Sequence, residues 1–187
     1  MGNQQNMKSK FLLNEFFILS ISGALQRANV YSKTATSQEK EQFKKELRQY
    51  LNTVVEQYFS PVSEENHLKN IAQLAEFTSA FKTTLKYNGL TFGVSQHILN
   101  LFLKYIWCLK LIPDPPHFPI DGKIQDQLNT EAERLNIGTR AVSPWTKLTN
   151  AAPYLQIIQF ARTVQHAAQK DGVSLAEYEL AFYLKPS

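Results

Sequence analysis

The sequence predicts an all-α fold, a single compact bundle of about seven helices around one central buried helix, with a proline-rich loop beside it. Three observations carry that expectation. Apolar residues recur at helical intervals over most of the 187 positions, and sustained period-two alternation is scarce. The seven glycines and eight prolines are few, and they fall at the joints between periodic stretches. Apolar residues make up 43% of the chain and aromatics 12%, enough for a dense core that requires neither metal nor disulfide.

A first helix is expected over Lys10 to Ala28. The second is announced by Thr36 and Glu39 at capping-box spacing, followed by Phe43, Leu47, Leu51 and Val54 at helical intervals, and Pro61 stops it. A third runs from Ser63 toward Lys86, with Leu68, Ile71 and Ala75 on one face and Asn88-Gly89 as its terminator. The fourth, from about Ser95 to Lys110, is apolar nearly all round, which belongs in the middle of a bundle. Ile112 to Pro119 holds four prolines and reads as a rigid extended loop. Further helices are expected at Lys123–Leu135, Ala151–Lys170 and Leu175–Tyr183, the last opened by Ser174 and Glu177. No repeat or linker divides the chain, so residues 1–187 read as one domain.

The charge balance is mild, with 20 basic and 16 acidic residues for a net +4 and no dense basic block. It permits nucleic-acid binding without requiring it. The single cysteine, Cys108, excludes an internal disulfide and a multi-cysteine zinc site. With no stretch apolar enough to span a bilayer, a cytoplasmic location away from membranes is expected. No phosphate-cradling glycine loop or Gly-x-Ser-x-Gly elbow occurs, and no cofactor is implied. Glu64-x-x-His67 is one half of a di-iron pattern that needs two copies, so it reads as a surface pair and no metal site is expected. Arg162 and His166 read as solvated on an outer face.

The most informative pattern is on the fourth helix. His97, Asn100, Lys104 and Cys108 are separated by 3, 4 and 4 residues and form one polar stripe on an apolar helix. The loop after it presents Asp114, His117 and Asp121. One interpretation is structural: the stripe is a narrow solvent edge, and Asp121 caps the next helix. The other is functional. Lys104, His97 and Asp121 would line a cleft with Asn100, Trp107 and His117 nearby. Hemmed in by Leu103, Tyr105 and Trp107, Lys104 would have a lowered pKa and act as nucleophile or base.

Gly93-x-x-Gln96, Leu103-Lys104-Tyr105-x-Trp107-Cys108 and Pro115-Pro116-His117-x-Pro119-Ile120-Asp121 together resemble a group of small bacterial all-helical proteins without an assigned activity. The likeness extends to Glu64-Glu65-x-His67 and to Ser174-Leu175-Ala176-Glu177-Tyr178-Glu179. A second likeness carries a mechanism. Gly89-Leu90-Thr91-Phe92-Gly93 between two helices, then a helix, then Pro119-Ile120-Asp121 opening another, is similar in outline to the helix-hairpin-helix DNA glycosylases. That resemblance implies a hairpin gripping a DNA phosphate and an aspartate supporting attack at the sugar C1′, often beside a Schiff-base lysine. The chain departs from the pattern in three ways, one of them a long loop before Asp121. Its glycines are four positions apart, and Ser95-Gln96 stand where the lysine belongs, leaving Lys86 and Lys104 as the nearest substitutes.

Two functions are therefore expected. One is DNA binding with glycosylase or lyase chemistry at Asp121 and Lys104, the phosphate contacted by Gly89, Gly93, Lys86 and Lys123. It requires those lysines to surround an open cleft containing Asp121. The other is a non-enzymatic module that binds a protein partner.

Overall fold

The computed structural model describes residues 2–184, with side chains for all but residues 2–6 and Ser9. Among the described residues there are seven α-helices: α1 (Gly2–Arg27), α2 (Ser37–Glu56), α3 (Glu64–Thr78), α4 (Phe92–Cys108), α5 (Gly122–Arg134), α6 (Ala151–Ala167) and α7 (Leu175–Leu184). None of the described residues forms a strand, and an isolated β-bridge joins Tyr31 to Leu85. Among the described residues no helix is long and apolar enough to cross a membrane.

The capping chemistry explains where the helices start. Thr36 Oγ1 accepts from the Glu39 N–H, and the Glu39 carboxylate accepts from the Thr36 N–H at 2.7 Å, closing the expected box at α2. Ser63 and Asn150 cap α3 and α6 more simply, their side chains accepting from the Asn66 and Ala152 N–H groups. The start of α4 differs from the expectation. Thr91, which reads as connecting chain, is its N-cap and accepts from the Val94 N–H, so the helix opens at Phe92.

The third helix is shorter than its sequence periodicity implies, ending at Thr78 rather than near Lys86. Thr78 Oγ1 turns back to the Ala75 carbonyl and also accepts from the Leu90 N–H, which breaks the helical ladder. The chain then pairs elsewhere: Lys86 N–H donates to the Val30 carbonyl and Ser32 N–H to that of Thr84. Tyr87, Asn88 and Gly89 all take positive φ to complete the turn. In Gly89 a Cβ would lie 3.1 Å from Thr78 Oγ1 and 3.2 Å from the Ser79 nitrogen.

The central helix is α4, as expected. It packs against α1, α3 and the turn Trp145–Lys147. Ile98, Leu99, Phe102, Leu103 and Ile106 are fully buried and join Phe43, Leu47, Leu51, Ile71 and Tyr154 in one core. The approach of the 145–148 segment is close enough to exclude a side chain: a Cβ on Gly93 would stand 1.7 Å from the Trp145 carbonyl oxygen.

Candidate functional site

The polar stripe of α4 divides into two halves with different surroundings. His97 and Asn100 are buried, and so are Ser95 and Gln96, whereas Cys108 is exposed. The buried half holds the proline-rich loop. Gln96 donates to the Ile120 carbonyl at 2.8 Å and accepts from the Ile120 N–H at 3.1 Å, and Asn100 donates to the Phe118 carbonyl at 3.1 Å. Prolines bring no N–H of their own, so a loop rich in them cannot satisfy its backbone internally, and α4 supplies the partners. Trp107 adds an anchor farther along, donating from Nε1 to Asp114 at 2.7 Å.

Asn100 also begins a directed chain of hydrogen bonds. Its amide donates to the Tyr154 hydroxyl, which donates to His117 Nδ1 at 3.0 Å; His117 Nε2 then faces the Glu64 carboxylate at 3.2 Å, and Arg162 pairs with that same carboxylate. Burial holds the His117 imidazole down at about 4, with Glu64 opposing the shift, so the ring is neutral near pH 7. The Arg162 guanidinium, with His117 behind it, holds Glu64 below the usual carboxylate range. A second arm runs from Asn70 to the Tyr58 hydroxyl and on to His67 Nδ1 at 2.8 Å. His67 is also neutral, pushed down to about 3 by burial. Its Nε2 and the Asn100 oxygen are both buried without a hydrogen bond of good geometry. Asn100 nevertheless favours the charged form of His67, so the two arms meet there. Glu64 and His67 are thus no surface pair, and Arg162 is no solvated bystander; all three belong to this network.

The other half of the stripe reaches a charged corner. Lys104 Nζ lies 2.6 Å from Glu179 and 4.0 Å above the Tyr183 ring, and Lys123 approaches the same ring at 5.3 Å. Burial pushes the Glu179 carboxyl up, and Lys104 pulls it back. Asp121 caps α5 through Oδ1, which accepts from the Ile124 N–H at 3.0 Å, while its Oδ2 pairs with Arg27 at 3.2 Å. His97 lies tilted against Trp145, ring centroids 4.6 Å apart, with Nδ1 near the Ile120 carbonyl, and burial lowers its pKa against the pull of Asp121.

Lys104, Asp121, Lys123 and His97 therefore share one corner with Glu179, joined by Arg27 and Tyr183, which the sequence did not single out. Lys86 sits in the 86–88 turn. The N–H of Gly89 donates to the Lys86 carbonyl and that of Gly93 to Leu148, so both are used within the fold. Among the described residues no group of three or more His, Cys, Asp and Glu converges as a metal site.

A larger opening lies elsewhere. Between α1 and α2 runs a groove of about 800 Å³. Its floor is Phe17, Ile18, Ile21 and Leu25 of α1, and Lys44, Lys45 and Arg48 stand on the α2 side. Farther along α1, Met7 and Phe11 are about two-thirds exposed. The signal was present in the sequence: Met7, Phe11, Asn14, Ile18, Ile21 and Leu25 are spaced 4, 3, 4, 3 and 4 apart, the period of a helix–helix seam. Comparison with known proteins finds no family model that matches this chain, and no curated protein or solved structure similar to it.

Proposed function

We propose that this protein is an interaction module that receives a helical segment of a protein partner in the groove between α1 and α2. The observation that carries this is the groove itself: about 800 Å³ over an apolar floor, on a helix α1 that keeps Met7, Phe11 and Ile18 uncovered. The titratable groups of the α4 corner, by contrast, are engaged with one another. A photo-crosslinking residue at Ser22, inside the groove, tests the proposal against one at exposed Thr53 on α2. A protein adduct is expected at position 22 alone and lost when Ile18→Asp is added. Equal labelling at both positions, or none, ends this reading.

A second reading is base excision on DNA, with Asp121 supporting attack at C1′ and Lys104 as the Schiff-base amine. The gathering of Lys104, Lys123, Arg27 and Asp121 around Tyr183 favours it. It expects duplex binding that weakens steeply with salt, and a borohydride-trapped adduct on damaged duplexes that disappears in Lys104→Ala. Absence of both removes it.

A further inference from the structure

We infer that the occupant of the α1–α2 groove is an acidic amphipathic helix, an inference that rests on the interaction-module reading and specifies its partner. The two walls of the groove ask for different things. The α1 wall leaves Ile18 uncovered above buried Ile21 and Leu25, and the same face continues beyond the groove through exposed Phe11 and Met7, interrupted only by Asn14. Its uncovered part, Met7 to Ile18, spans roughly 17 Å at 1.5 Å per residue, about three turns of a partner helix. Side chains in such a row act as holes for the knobs of one facing helix.

The α2 wall is cationic. Its one carboxylate, Glu41, is already bonded to Lys44 at 2.7 Å. Lys45 is exposed, and Arg48 lies over the Phe17 ring at 5.9 Å with one nitrogen on Asn14. Beyond the groove's end, Lys8 and Lys10 flank the uncovered part of the same α1 row. A helix seated here meets apolar surface on one side and uncompensated positive charge on the other. Glutamates and aspartates along its flank would complement both Lys45 and Arg48.

The charge argument also decides against a second copy of this chain. Its candidate insert is α1, whose described side chains include Lys8, Lys10 and Arg27 against Glu15 alone. Inserting that helix would bring cations to a cationic wall.

Fluorescence anisotropy with full-length protein tests the inference. The probes are two labelled helical peptides of about 18 residues that share one leucine–isoleucine face at seam spacing. One carries glutamates on its polar positions and the other lysines. The glutamate peptide is expected to bind about tenfold tighter, the combined effect of two or three rim ion pairs, and to weaken as salt rises. Ile18→Asp should abolish binding of both peptides. Lys45→Glu, an exposed change checked for folding by circular dichroism, should narrow or reverse the preference. Equal binding, or preference for the lysine peptide, overturns the acidic partner while the groove reading stands. No binding of either peptide overturns both. A dimer seen by sedimentation velocity and lost in Ile18→Asp would give the groove to a second copy and likewise overturn the inference.

Discussion

His67 and His117 sit in the core as neutral rings, and that neutrality makes stability depend on pH. Unfolded, a histidine titrates near about 6.5; in the fold, burial lowers His117 to about 4 and His67 to about 3. Below about 6.5 the unfolded chain takes up protons that the folded one refuses, so stability is full above that pH and falls as pH drops toward about 4. Each histidine contributes about 1.4 kcal/mol per pH unit in that window. Urea melts at pH 7 and pH 5 should differ by about 4 kcal/mol, and His117→Gln should remove about half of that difference. A loss below about 1 kcal/mol would mean that the rings are charged in the fold. Gln96 is the other decisive residue. Gln96→Leu leaves the Ile120 N–H buried without its partner and takes one of two partners from the Ile120 carbonyl, and a cost of about 1–3 kcal/mol is expected in the same melts.

Among the elements, the junction of α4 with the 145–148 segment has the least tolerance. Gly93→Ala would drive a methyl group into the Trp145 carbonyl, a backbone atom that cannot rotate away. We expect a loss of at least about 3 kcal/mol, read as a lower melting temperature by circular dichroism. An unchanged melt would show that the two segments separate easily. Legibility in the sequence follows this same division between local and distant contacts. The α2 cap could be read because Thr36 and Glu39 are three residues apart and their chemistry is self-contained. Asp121 as a cap could be read for the same reason. The end of α3 could not, because Thr78 is diverted by Leu90 and the following residues by Val30 and Ser32. Glu64 and His67 share helical spacing, yet their partners, Arg162 and Tyr58, come from α6 and from the turn before α3. Spacing alone could give neither. The α1–α2 groove was half legible: its heptad row is written in α1, but the α2 wall facing it follows from tertiary packing.

At the scale of the whole molecule, α7 is fastened to the central helix by an ion pair rather than by apolar contact alone. Lys104 and Glu179 have side-chain exposures of 12% and 1%, so removing either partner strands a charge. Lys104→Met should cost about 3–5 kcal/mol, while Lys104→Met combined with Glu179→Leu should return to within about 1 kcal/mol of the parent. If the single and double variants lose equally, the pair contributes through packing and not through charge. The clamp on the proline-rich loop has a different consequence, for how sequence change is filtered. Gln96 and Asn100 grip the loop through the backbone atoms of Phe118 and Ile120, which every residue type carries. These bonds are therefore blind to the side chains at positions 118 and 120, whereas the bonds at Asp114 and His117 need the side chain itself. In a saturation mutagenesis experiment scored by folding, the loop should accept apolar exchanges at positions 118 and 120, while Gln96 and Asn100 should tolerate almost none.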